Sequence, residues 1–242
     1  MAESHWIALF GAALILWTLL FLMALPETTL AARGMGFIEA ICSLTPGTAG
    51  FPTAMLMWAV MSAAMMAPTA LPAFATYDDL PKTTPAGLAG LVGGYLTVWL
   101  GFAVLAAALQ TGLFEVGLIG ALGQSQSVWL TAILFAVAGA YQFSALKEAC
   151  LSRCRAPLTF FMAHWGEGAW RNGLRLGLDC LGCCWALMLL AFVGGTMNLA
   201  FMGLAMVLMT LEKLPRFGAH ITRPLGFGLI GLAGLTPLSL LI

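Results

Sequence analysis

Long apolar runs separated by short polar segments dominate the chain. A membrane-spanning helix needs about 20 mostly apolar residues, and seven stretches approach that length. They are residues 6–25, 51–75, 86–109, 128–146, 174–193, 196–211 and 225–242. The pattern predicts an all-α fold, a polytopic transmembrane helical bundle of about seven spans. The sixth stretch is short and follows the fifth after only two glycines, so six spans is the alternative.

Basic residues are distributed unevenly among the segments that connect these spans. If the spans alternate in direction, one side of the membrane receives nine of the ten: Lys82, Lys147, Arg153, Arg155, Arg171, Arg175, Lys213, Arg216 and Arg223. Arg33 lies on the other side. Because cytoplasmic loops of membrane proteins are enriched in Lys and Arg, we expect the N-terminus in the cytoplasm.

The composition agrees with a membrane location. Hydrophobic residues make up 61% of the 242 positions and charged residues only 8%, whereas a soluble domain is about 25% charged. The lipid bilayer is thus an expected partner of a single integral membrane domain that covers residues 1–242. Ten basic and ten acidic residues leave no net charge. Without a basic face to neutralise phosphates, the sequence predicts no nucleic-acid partner.

Sulfur-containing side chains are concentrated on the fifth predicted span, which reads LGLDCLGCCWALMLL. Cys180, Cys184 and Met188 are spaced by four residues, so a helix places them on one face. Cys183 flanks that face. The spacing predicts a group of soft donors within the membrane, and we take these four residues as candidate metal ligands.

The second predicted span carries a matching methionine stripe. Met57, Met61 and Met65 again recur every four residues, and Met66 lies beside them. The second and fifth spans run in opposite directions, and counting from their ends puts Met61 and Cys184 both near mid-membrane. If the two helices touch, their sulfurs form a ladder, so Met61, Met65 and Met66 join the candidate ligands.

The ligand types favour Cu(I) as the bound ion. Thiolate and thioether ligands select Cu(I), zinc or iron–sulfur clusters. Zinc normally recruits His or carboxylates with Cys, but His5, His164 and His220 all fall outside the predicted spans. An iron–sulfur cluster needs four cysteines, whereas the fifth span carries three.

Cys150 and Cys154, one helical turn apart near the end of the fourth span, form a candidate secondary metal or thiol site.

Four sequence blocks resemble a known family. They are WAVMSAAMMAPTALP at 58–72, GGYLTVW at 93–99, AGAYQFSALKEACLSRCRAPLTFF at 138–161, and CLGCCWALMLLAFVGGTMN at 180–198 followed by LEK at 211–213. In this order they resemble a bacterial family of predicted metal-binding integral membrane proteins. The family usually has Thr-Pro where Ser144 and Ala145 stand. The loss of that proline predicts a straighter end of the fourth span.

The resemblance implies a multi-pass protein of the bacterial cytoplasmic (inner) membrane. Some family members look linked to copper supply for a tyrosinase-type oxidase, which implies a cuproenzyme or a soluble metallochaperone as partner. The sequence thus favours a copper-handling carrier rather than an enzyme. It leaves two alternatives open. One is a membrane thiol oxidoreductase, since Cys180 and Cys183 have Cys-x-x-Cys spacing; the other is an accessory structural subunit whose sulfurs only pack. The oligomeric state stays open.

Overall fold

The computed structural model describes residues 4–23, 50–81, 83–196, 198–215 and 218–238, and most of these residues are helical. The helices are α1 Ser4–Met23, α2 Phe51–Asp78, α3 Pro85–Glu115, α4 Val128–Tyr141, α5 Ala145–Arg155, α6 Pro157–His164, α7 Ala169–Met188, α8 Ala191–Gly194, α9 Leu199–Lys213 and α10 Gly218–Leu238. Within these ranges there is no β-strand, so the predicted all-α fold is confirmed.

Among the described residues, four helices are long and apolar enough to cross a membrane. These are Phe51–Asp78, Pro85–Glu115, Ala169–Gly194 and His220–Leu238, and α4 with α5 makes a fifth if this bent pair is one span. A polytopic helical bundle is therefore confirmed. The apolar part of α1, Trp6–Leu22, and the 15-residue α9 are shorter. The count of seven spans, its alternative of six and the cytoplasmic N-terminus stay predictions.

The fourth predicted span is broken rather than straight. Helix α4 ends at Tyr141, and α5 begins at Ala145 after a bend of 62°. The side chain of Ser144 accepts a hydrogen bond from the Lys147 backbone N–H at 3.1 Å, which makes it an N-cap that starts a new helix. The prediction that losing the family's proline straightens this segment is wrong, because a serine cap begins the second helix just as well.

Glycines bring α7 into close contact with α3. A Cβ atom at Gly173 would lie 2.1 Å from the Leu91 carbonyl oxygen, and one at Gly94 would lie 2.3 Å from the Trp170 carbonyl oxygen. Small residues allow helix backbones to approach in this way within membranes. The contact fixes the height and rotation of α7, which carries the cysteines.

Proline explains how α1 attaches to α2. Pro68 lies inside α2 and has no N–H to donate to the carbonyl four residues before it, that of Ala64. The indole Nε1–H of Trp17 donates to this carbonyl at 3.0 Å instead. An unpaired backbone acceptor in the bundle interior is thereby satisfied by the neighbouring helix.

Candidate metal centre

Three thiols of α7 form a compact group inside the bundle. Cys180, Cys183 and Cys184 are only 1–2% exposed, and their sulfur atoms all lie within 4.8 Å of one another. Two sulfurs that each bind one ion at about 2.3 Å, the zinc–sulfur length, lie at most about 4.6 Å apart. The group therefore fits a shared soft ion after a small adjustment of side-chain torsions.

The backbone of the helix aims these thiols at one another. The Cys183 thiol donates to the Cys180 carbonyl oxygen at 3.0 Å, and the Cys184 thiol donates to the same oxygen at 2.7 Å. Spacings of three and four residues bring both side chains over the same preceding turn. Within the part of the chain that the structure describes, no other group of three His, Cys, Asp or Glu side chains is close enough to share an ion.

Helix α2 contributes a thioether to this group. The Cys184 Sγ atom lies 3.7 Å from the Met66 Sδ atom, and Met66 is fully buried. The structure thus pairs Cys184 with Met66, whereas Met61 was predicted at the depth of Cys184. The reason is that α7 begins at Ala169, five residues before the predicted start. The membrane depths of its residues, which were counted from the predicted helix ends, were therefore displaced.

The remaining predicted methionines lie together beside the thiols. Met61, Met65 and Met188 are 1–2% exposed and line a small cavity of about 10 Å³ with Met202 of α9. None of the three faces lipid. Met202 was not among the predicted site residues, because nothing in the α9 sequence marks which of its methionines turns inward.

The predicted secondary site is contiguous with the thiols of α7. Helix α5 packs across α7, where the side chains of Cys154 and Cys183 are neighbours. Cys150 approaches the backbone of Gly182, where an added Cβ would lie 2.6 Å from the Cys150 sulfur. We call Cys154, Cys180, Cys183, Cys184 and Met66 the sulfur cluster.

Two further side chains that the sequence analysis did not single out as site residues contact the sulfur cluster. The Lys213 ammonium lies 3.0 Å from the Cys180 Sγ atom and donates to the Thr69 hydroxyl at 2.7 Å. The Tyr95 hydroxyl lies 3.0 Å from the same sulfur and donates to the Met66 carbonyl oxygen at 2.9 Å. The sequence feature that could have identified Tyr95 and Lys213 as site residues is their position in the GGYLTVW and LEK blocks. A cation at hydrogen-bonding distance stabilises the thiolate form of a cysteine.

Two ion pairs hold the helices around the cluster, and one of them is buried. Lys147 of α5 and Glu212 of α9 pair at 2.8 Å with side chains 1% and 2% exposed. Arg153, whose side chain is 59% exposed, pairs with Asp179 at 2.8 Å. Glu212 thus ties α9 to α5, while its neighbour Lys213 ties α9 to α7. Removing one partner of a buried pair leaves an uncompensated charge and costs about 3–5 kcal/mol.

A larger cavity of about 240 Å³ leads to the cluster from one end of the bundle. Its wall includes the exposed Leu214 and Pro215 and reaches the buried Cys180. Cys154 and Lys213 also line it, and both are partly accessible. The sulfur cluster is therefore approached from the end of the bundle that carries the C-termini of α5 and α9.

Comparison with known protein families supports a role in copper handling. A family model described as PpoB2, copper chaperone, matches residues 55–236, which include every residue of the sulfur cluster. No curated protein and no solved structure matches the chain.

Proposed function

The chain belongs to the PpoB2 family of copper chaperones, and we propose that it binds Cu(I) through the sulfur cluster within the membrane and delivers it to a cuproenzyme. The observation that carries the proposal is the mutual approach of three buried thiols. Copper is the cargo of such a protein and not a resident cofactor. On this view the protein is a carrier rather than an enzyme, and residues 1–242 form a single integral membrane domain.

The donor set supports copper in its reduced state. Sulfur donors suit Cu(I), which is content with two or three of them, whereas carboxylate and carbonyl oxygens suit hard ions. Among the described residues the close group contains thiols alone. His164, the nearest in sequence of the described histidines, lies in α6, where its Nδ1 atom is 2.9 Å from the Phe160 carbonyl oxygen. Zinc sites of the usual mixed type therefore have less support.

The charges around the cluster support a complex with two thiolates. Two thiolates and one Cu(I) ion carry a net charge of −1, and the Lys213 ammonium beside Cys180 brings the sum to zero. Net charge is expensive in a low-dielectric interior unless it is paired. A neutral assembly of this kind is the form that a membrane interior tolerates best.

The order of sulfurs suggests a path for the ion. Cys154 lines the larger cavity and neighbours Cys183, and the thiols of α7 lead on to Met66. Beyond them Met61, Met65 and Met188 surround the small cavity. On our proposal Cu(I) is bound firmly by Cys180, Cys183 and Cys184 and moves along the thioethers by exchange of weaker ligands. Cys150 then serves only to pack α5 on α7.

The membrane and the partner belong to the same proposal. The long apolar helices are typical of an integral membrane protein, and we assign it to the bacterial cytoplasmic membrane because its sequence blocks resemble a bacterial family of membrane proteins. A cuproenzyme or a soluble metallochaperone is the partner that we propose for such a copper carrier.

Copper analysis of the purified protein tests the proposal. We expect the full chain in detergent to retain about one Cu(I) ion after anaerobic loading and desalting. The triple variant Cys180→Ser, Cys183→Ser and Cys184→Ser is expected to retain none. The matched control is Cys42→Ser, which replaces a thiol in the segment between the first two predicted spans and is expected to bind copper as the parent does.

The two alternatives predict different results. A thiol oxidoreductase would show cysteines that cycle between disulfide and thiol in cells, which thiol trapping detects. An accessory subunit would behave like the parent after the serine replacements. Equal copper contents in the parent and the triple variant would refute the copper proposal.

A further inference from the structure

The larger cavity differs from an ordinary cation site because cationic side chains line it. Arg155 and Lys213 form part of its wall, together with Cys154 and Cys180. No Asp or Glu is among its lining residues in the part of the chain that the structure describes. A bare copper cation that approached Cys180 through this space would be repelled, whereas an anion would be attracted.

Both cations are held in place by neighbours. The Arg155 Nε–H donates to the Glu212 carbonyl oxygen at 2.9 Å, and its contact with Glu148 is long, at 3.4 Å, with that carboxylate 66% exposed. Lys213 is fixed by Thr69 and Cys180. Their positive charge is therefore preorganised rather than cancelled, because an exposed ion pair at this distance contributes little.

The size of the cavity limits what enters. Its volume of about 240 Å³ lies below the range of about 300–1,000 Å³ that is usual for drug-sized ligands. It suits a small molecule rather than a segment of a protein. The thiols of Cys154 and Cys180, which both line it, are the groups that would meet a copper complex there.

We propose that copper enters this cavity as a small anionic complex in which Cu(I) is bound by low-molecular-weight thiolates, and that Arg155 and Lys213 select this form by charge. The inference rests on the copper-binding function proposed above. The exchange is balanced without an oxidant. Cys154 forms a bond to Cu(I), a small thiolate leaves with the proton of the Cys154 thiol, and Cys180 displaces the second thiolate in the same way. Copper remains Cu(I), and two small thiols are released.

Loading from donors of different charge tests the inference. The donors are the Cu(I) complexes of mercaptoacetate, 2-mercaptoethanol and cysteamine, which are similar in size and carry an anionic, a neutral and a cationic group. Transfer to the purified full-length protein is followed by stopped-flow absorbance, and each rate is divided by that donor's transfer rate to dithiothreitol. We expect mercaptoacetate to load the protein about tenfold faster than cysteamine, with a smaller ratio at high salt.

Variants assign the effect to the cavity. Arg155→Gln is expected to lower the mercaptoacetate-to-cysteamine ratio to about threefold, and Arg155→Lys is expected to keep most of it. Arg171→Gln is the matched control, because Arg171 is exposed and lines a different cavity with Glu167. An unchanged ratio in a folded Arg155→Gln protein would overturn the role of Arg155. If that variant does not fold, the donor series on the parent protein decides alone.

The final amount of copper bound distinguishes a failure of this inference from a failure of the proposed function. If all three donors load the same final amount of copper at equal normalised rates, the protein binds copper but does not select an anionic form, and only this inference fails. If no donor loads copper at any time, the proposed function itself fails.

Discussion

Replacing Lys213 by glutamine is the sharpest test of the electrostatics around the sulfur cluster. The substitution keeps the approximate length of the side chain and a hydrogen-bond donor but removes the positive charge. The Lys213 ammonium lies 3.0 Å from the Cys180 sulfur. The thiolates of a copper complex would therefore lose their nearest compensating charge.

The expected size of the effect follows from this distance. At an effective dielectric constant of about 20, two unit charges 3.0 Å apart interact by about 5.5 kcal/mol. Lys213 is only partly buried, so solvent screening reduces this value, and the glutamine amide restores about 1 kcal/mol as a hydrogen bond. We expect a loss of about 3 kcal/mol, or about a hundredfold weaker Cu(I) binding.

Competition with a Cu(I) chelator such as bicinchoninate measures this affinity in detergent. Lys213→Arg keeps the charge and is expected to stay within about tenfold of the parent. Thr69→Val removes the other hydrogen-bond partner of the ammonium without changing any charge, and should have little effect on copper affinity. Thermal unfolding establishes that each variant is folded. A folded Lys213→Gln protein that binds Cu(I) within threefold of the parent would refute the charge argument.

Three other substitutions test the packing and the ligands. Met66→Leu removes the thioether next to Cys184 and should weaken Cu(I) binding about tenfold, while the free energy of unfolding falls by less than about 1.5 kcal/mol. Equal Cu(I) affinity of this variant and the parent in chelator competition would exclude Met66 as a ligand. Gly173→Ala places a Cβ 2.1 Å from the Leu91 carbonyl oxygen and should destabilise the bundle by about 1–3 kcal/mol in thermal unfolding. Gly101→Ala is the control, because its added Cβ meets nothing within 4 Å, and it should not destabilise the bundle. Ser144→Ala removes the cap of α5 and should cost about 1 kcal/mol; an unchanged melting temperature would contradict the role of this cap.

Hydropathy and residue spacing predicted the long helices and the grouping of the thiols, because both depend on interactions within one segment of the chain. Helices α2, α3 and α7 are long apolar runs, and such runs must be helical in a bilayer because their backbone groups have no other partners. The grouping of Cys180, Cys183 and Cys184 followed from helical periodicity alone. The polar residues at the start of α7 concealed its true beginning, because Arg171 and Arg175 lower the local hydropathy.

The features that sequence alone did not predict depend on contacts between distant segments. Lys213 is 33 residues from Cys180 in sequence and Tyr95 is 85 residues away, so no periodicity links them to the thiols. Cys154 joins the cluster because α5 departs from α4 by 62° and crosses α7. That crossing depends on a break whose only local mark is a serine, a residue common at many other positions.

The hydrogen bonds around Met66 bear on how fast copper can pass. Its carbonyl oxygen accepts from both Tyr95 and Thr69, so its backbone is pinned from two sides, while its long side chain has three rotatable bonds. On the path proposed above, transfer from Cys184 to Met66 would therefore need a change of rotamer and no displacement of a helix. Collective helix motions take microseconds to milliseconds, and side-chain rotations are far faster. On that path the duration of each transfer would then be governed by the lifetime of a copper–sulfur bond.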